Sequence, residues 1–197
     1  MLRSATAAIK AYAAHPDPRV AAANFIALLV VSNQPFYPLY IWWLVSDEIW
    51  PSYYTFLSTP FFLAVPAVSR WNSVAGRTLL PLAGIANGIQ CAKLFGVQSG
   101  VEMFLIPCAI LAMLLFRPGE RIIGYALALA AFLAWFLLHN AYGAPAVIYT
   151  STEYAAFLRL NIVSAVALTV CAALVFSNIL AEAENKSAEA SRRKEAN

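Results

Sequence analysis

"NQPFYPLYIWWLV", residues 33–45, decides what kind of fold the chain makes. It closes an apolar run that begins at Ala21, and it mixes an amide pair, two prolines and five aromatic rings. Trp42 and Trp43, with Trp50 just beyond, are residues that gather where a membrane helix meets water, because an indole is apolar in body and polar at one edge. The run before them therefore reads as a spanning helix that ends at an interface. Pro35 and Pro38 follow directly on Asn33 and Gln34, so a bend is expected there, ringed by Phe36, Tyr37 and Tyr40. A bend that turns amides and phenols inward makes a small concave site, mostly apolar with a few polar anchors. A proline-kinked anchor with an aromatic belt is the plainer alternative.

Composition agrees with a membrane protein. Of 197 residues 61% are hydrophobic and only 12% charged, and mean hydropathy is +0.68, where soluble domains hold roughly a quarter charged residues. The net charge of +3 matters less than where the charges fall, and nucleic acid is not expected as a partner. Cys91, Cys108 and Cys171 are odd in number and sit in apolar runs, which suits packing thiols rather than disulfides or metal ligands.

A spanning helix needs about 20 mostly apolar residues. Six segments are predicted on that basis: 23–45, 53–69, 78–95, 101–116, 121–138 and 157–180. The second carries Pro60 and Pro66, with Ser58 and Thr59 placed to satisfy freed carbonyls, and a kink is expected. Six crossings put both termini on one side. Eleven cations (Arg3, Lys10, Arg19, Arg70, Arg77, Arg117, Arg121, Lys186, Arg192, Arg193 and Lys194) then face that side, against Lys93 and Arg159 on the other. The positive-inside rule makes the first side cytoplasmic, with outer loops near 46–52, 94–100 and 139–156. The expected organisation is all-α: a cytoplasmic segment 1–20, a six-helix transmembrane domain 21–181 and a cytoplasmic helical tail 182–197. "HPDPR" (15–19) should break a short helix over the first residues, and the run from Ala21 is too long for a signal-peptide core.

Polar residues inside a membrane are costly and usually face the bundle interior. Here they sort by depth. Asn33 and Gln34 lie in span 1; Asn87, Gln90 and Lys93 follow at i, i+3, i+6 on span 3; Glu102 opens span 4; His139 and Asn140 close span 5; Arg159 and Asn161 open span 6. The inner half is almost purely apolar. Helix-joining hydrogen bonds, with Lys93, Glu102 and Arg159 snorkelling to water, are one account. The clustering favours another, a polar pocket open to the outside, with Asn33, Gln34, Tyr37, Tyr40, Asn87, Gln90, His139 and Asn161 as candidate ligand-binding residues and Lys93, Glu102 and Arg159 as candidate gating charges. Gly84 and Gly88 form a small-xxx-small pair, a close-packing signal. His15 and His139 fall on opposite sides, and no nucleophile elbow, zincin or Walker motif occurs, so neither a metal nor a cofactor nor an active site is expected.

After Phe176 the chain reads "SNILAEAENKSAEASRRKEAN", free of Gly and Pro, with Glu182/Lys186 and Glu189/Arg193 at i, i+4. A straight helix should continue into the cytoplasm. "AEASRRKEAN" resembles the linker that bacterial sensor histidine kinases place between their last membrane helix and their dimerisation domain. "AIKAYAAHPDPRVAAAN" followed by "QPFYPLYIWWL" resembles the start of the six-span input regions of quorum-sensing kinases that detect hydroxyketone autoinducers. The resemblance implies a two-component, signal-transducing sensor of the bacterial inner membrane; the phosphoacceptor and ATP-binding motifs do not occur here, so kinase activity would lie beyond Asn197 or in another chain. The expected partners are the lipid bilayer and, as candidates, a small-molecule ligand and a second copy of the chain. A small carrier or channel, supported by prolines in several spans but with no inverted repeat and no mid-membrane charge, and a ligand-free membrane scaffold are the alternatives.

Overall fold

The computed structural model describes residues 2–195, and the side chains of 7–186, 188 and 189. Among them there are helices and connections and no strand. Helix α1 (Leu2–Ala13) is followed by α2 (Pro18–Asn33), whose N-cap Asp17 accepts from the Arg19 amide at 3.0 Å while Pro18 takes the first-turn position, where its missing N–H costs nothing. A single 3-10 turn (Gln34–Phe36) joins α2 to α3 (Tyr37–Leu44). Gln34 and Tyr37 both keep right-handed helical backbone angles, so Pro35 and Pro38 tighten the helix locally and do not end it.

The second segment departs from the expected kinked α-helix. Residues Trp50–Ser58 form a nine-residue 3-10 run before α4 (Thr59–Trp71), long for that geometry. Its cause lies in the spacing Ser52, Thr55, Ser58. Each hydroxyl donates to the carbonyl three residues back, Ile49, Ser52 and Thr55 respectively, and side chains three apart eclipse on a 3-10 helix. All three are buried on one edge, while Tyr53, Tyr54, Phe56 and Leu57 are exposed.

Helix α5 (Ser73–Phe95) starts five residues before the predicted span because Asn72 caps it, its Oδ1 accepting from the Val74 and Ala75 amides at 3.0 Å. A 3-10 turn (Val101–Phe104) leads into α6 (Leu105–Leu115), α7 spans Arg121–Leu138 as expected, and α8 runs Ser151–Glu195. Its start at Ser151 shortens the expected 139–156 loop. Arg193 of the Glu189/Arg193 pair, with Arg3, Arg192 and Lys194, lies outside the described side chains. Three helical stretches, Pro18–Leu44, Pro118–Leu138 and Ser151–Lys186, are long and apolar enough to cross a membrane, which marks a membrane protein.

The helices alternate in direction. One end of the bundle gathers the starts of α2, α5 and α7 with the ends of α4 and α6; Arg19 and Arg77 there reach carbonyls at the end of α6. The opposite end joins α3, the α5–α6 and α7–α8 connections and the start of α8. Between them lies a core built on Ile26, Phe62, Val65, Leu80, Leu111 and Leu115, and a second core at the opposite end centres on Phe95 and Phe157. α1 is tied to the bundle at its C-terminal end: the Tyr12 hydroxyl donates to the Leu63 carbonyl at 2.8 Å and Asn24 Nδ2 to that of Ala13 at 3.0 Å. Close approaches occur at glycines. A Cβ at Gly124 would lie 2.6 Å from the Ala112 carbonyl oxygen, and at Gly84 2.5 Å from Cys108 Sγ; at Gly88 it would meet Leu105 Cδ2 at 3.4 Å. Gly84 and Gly88 thus both face α6.

Candidate functional site

The predicted pocket residues do not converge on one cavity. Four of them, Gln34, Tyr37, His139 and Asn161, fall in three separate groups. Gln34, buried, staples the α2–α3 junction to the 3-10 run: its Nε2 donates to the Thr55 carbonyl at 3.1 Å and the Ser58 hydroxyl at 2.7 Å, and its Oε1 accepts from Thr59 at 2.7 Å. The long 3-10 segment presents Thr55 and Ser58 one above the other, and Thr59 opens α4 beside them. Beside this staple a groove of about 450 Å³, lined by Val31, Gln34, Pro35, Phe56, Thr59, Pro60 and Leu63, opens to the bundle surface.

In the second group Asn161 on α8 is fully buried and ties three elements together, accepting from the Tyr37 hydroxyl at 3.0 Å and donating to the Ser99 carbonyl at 2.9 Å. Phe95 lies edge-on to Tyr37 and packs on Phe157. Gly96 and Gly100, at φ of 81° and 71°, bracket the turn that offers the Ser99 carbonyl, backbone that favours glycine.

The third group is Glu102 with His139. Glu102 is 5% exposed, and its Oε2 lies 2.6 Å from His139 Nδ1. The His139 ring lies 5.6 Å from that of Trp135, the two planes tilted by 49°. Lys93 donates to the Tyr142 and Ala144 carbonyls of the α7–α8 connection. In that connection burial, with the Glu102 charge second, pushes the Tyr142 phenol up to about 12. Tyr149 is likewise raised to about 12, by burial and then by Tyr154 and Glu153.

Several expectations are corrected. Asn33 is exposed and does not turn inward, and Tyr40 stacks on Phe36 with no polar role. Asn87 is half-buried and meets Cys91, while Gln90 Nε2 donates to the Tyr54 carbonyl at 2.6 Å, away from Asn161 and His139. Arg159 is exposed and makes no ion pair among the described residues. Lys93, Glu102 and Arg159 therefore form no shared charge cluster.

The half expected to be almost purely apolar ends in a polar layer built on the arginines. Arg77 is 1% exposed; its Nη1 and Nη2 reach the Glu120 carboxylate at 2.7 and 2.9 Å, Nη1 also donates to the Leu115 carbonyl at 2.8 Å, and Nε to that of Ser73 at 3.1 Å. Arg19 donates to the Leu114 and Phe116 carbonyls at 2.7 and 2.9 Å, and Arg117 pairs with Asp17 at 2.8 Å. Two guanidinium groups thus cap the C-terminus of α6, where the helix dipole favours cations. The eleven-to-two charge sorting placed Arg77 at this end but carried no sign of its burial. Among the described residues no group of three or more His, Cys, Asp or Glu side chains could hold a metal. Comparison with protein-family models, curated proteins and solved structures finds no match to this chain.

Proposed function

We infer that the chain is a multi-pass input module of a bacterial inner membrane: six crossings, both termini cytoplasmic, a stimulus read within the bundle, and a signal leaving through α8 to a cytoplasmic effector. The observation that carries this reading is α8 itself. It is one uninterrupted helix of 45 residues, about 67 Å at 1.5 Å per residue, more than twice the roughly 30 Å hydrocarbon thickness. Near one end it is held by Asn161 to Tyr37 and Ser99; beyond Leu180 its described side chains are exposed. A displacement at Asn161 is thereby passed along a rigid rod.

The alternation of helix directions and the eleven-to-two cation bias support six crossings with the arginine end in the cytoplasm. The stimulus is a small, fairly apolar ligand or a property of the bilayer. The open groove beside Gln34 supports the former: Gln34 already spends its polar atoms on Thr55, Ser58 and Thr59, so apolar contact would hold an occupant arriving from the lipid. The bundle is non-catalytic on this reading, and the resemblance to sensor histidine kinases supports a kinase as effector.

The test is helical phase. With the module joined to a kinase reporter, one alanine inserted after Leu180 turns everything downstream by about 100° and seven restore the face to within about 20°. Output disturbed by one insertion and largely restored by seven supports rod transmission. Output indifferent to phase overturns it, as would be expected of a carrier.

A further inference from the structure

The Glu102–His139 pair plays no part in the rod or the groove. Glu102 sits in the first turn before α6, buried, with Oε2 against His139 Nδ1 and Oε1 without a hydrogen-bond partner; the buried Tyr142 hydroxyl also lacks one. Holding a carboxylate in such a place is costly unless its charge is matched. Its charge faces the imidazole of His139, with the Tyr142 phenol close by, and histidine is the side chain suited to bind a proton at such a carboxylate. The His139 side chain is 37% exposed against 4% for Glu102, so the imidazole is the route between the buried carboxylate and water.

The groups that face the pair from each element packed around it are few. Trp135 of α7 contributes an uncharged ring. Tyr142 of the connection contributes a phenol held neutral by burial and by Glu102. Lys93 at the end of α5 directs its ammonium to the Tyr142 and Ala144 carbonyls. Arg159 on α8 is exposed and unpaired among the described residues.

We propose that Glu102 and His139 form a proton-binding site whose occupancy sets how firmly the α7–α8 connection is held on the start of α6. With His139 neutral, Nδ1–H donates to Glu102 Oε2 and a net negative charge stays buried. A proton taken from water onto Nε2 yields an imidazolium–carboxylate pair with no net charge; its release to water reverses the step. The connection leads directly into α8 at Ser151. The site does not depend on the signalling reading, since it is a property of the bundle alone.

The test uses the full chain in lipid nanodiscs between about pH 5 and 8. The wild type should lose about 3 °C or more of thermal midpoint across that range, His15→Asn should behave as wild type, and His139→Gln should lose the dependence. Trp135 gives a second, local readout, because imidazolium quenches a neighbouring indole: emission should rise with pH in the wild type and stay flat in His139→Gln and in Trp135→Phe. A His139→Gln midpoint profile parallel to wild type, or wild-type emission that ignores pH, overturns the proposal.

Discussion

Arg77 and Glu120, forty-three residues apart in sequence, meet through two parallel hydrogen bonds of 2.7 and 2.9 Å in which Nη1 donates to Oε2 and Nη2 to Oε1. The same guanidinium also closes the end of α6 through Leu115 and the start of α5 through Ser73. One side chain thus fixes the α6–α7 turn against the helix that precedes both.

Arg77→Ala should destabilise the bundle by about 1–3 kcal/mol, because it strands the buried Leu115 carbonyl while Glu120, a quarter exposed, can turn to water. Arg77→Lys should recover only part, since an ammonium lacks the planar fork. The exchange Arg77→Glu with Glu120→Arg should not restore stability, because the Leu115 and Ser73 carbonyls would lose their donors. Denaturation in mixed micelles measures all three; full recovery in the exchanged protein would show that only the charge pair matters.

Small residues should rank by what their missing side chain would meet. Gly124→Ala sets a methyl against the backbone of α6 and should cost about 1–3 kcal/mol. Gly84→Ala confronts only the Cys108 sulfur, which can turn aside, and should cost less. Gly119, with nothing within 4 Å of an added Cβ, should accept alanine freely. Thermal midpoints that put Gly119→Ala below Gly124→Ala would contradict the close packing of α6 on α7.

Asn161→Leu strands the Tyr37 hydroxyl and the Ser99 carbonyl, and a loss of about 1–3 kcal/mol is expected. Tyr37→Phe removes one hydroxyl and should be milder. Asn87→Leu and Gln90→Leu, at partly exposed positions, should unfold close to wild type. Equal losses at Asn161 and Gln90 would argue against a special role for the α8 anchor.

Reporter fusions placed after Asn197 and within 1–20 should both be active in the cytoplasm, and fusions at 46–49 and 140–148 outside it. An external signal from the C-terminal fusion would rule out six crossings.

Helices were readable where local signals coincide. The limits of α7 follow from Arg117–Pro118–Gly119 on one side and the polar His139–Asn140 on the other, and the continuation of α8 beyond Phe176 from the absence of Gly and Pro, whereas its first six residues, from Ser151, fall in the segment expected to be loop. Facing was harder. Asn33 and Gln34 are neighbours, yet about 100° of helix rotation leaves one exposed and the other buried, and the tertiary partners on the 3-10 run decide which. Arg77 shows the same gap, because a charge pattern reports the side of a membrane but not the carboxylate 43 residues away that permits burial. Two local signals lay outside that reading: the Asn72 cap that starts α5, and the Ser52, Thr55, Ser58 spacing, a period of three where an α-helix would have favoured three and four in alternation.

That period has a mechanical consequence. A 3-10 helix rises about 2.0 Å per residue and an α-helix about 1.5 Å, so rewinding Trp50–Ser58 into α-helix would shorten the segment by about 4.5 Å without unfolding it. The three hydroxyls would fan out from their common edge, and Gln34 would lose the aligned partners it now holds. The bonds from Gln34 to Thr55 and Ser58 thus hold the segment at the longer, 3-10 rise.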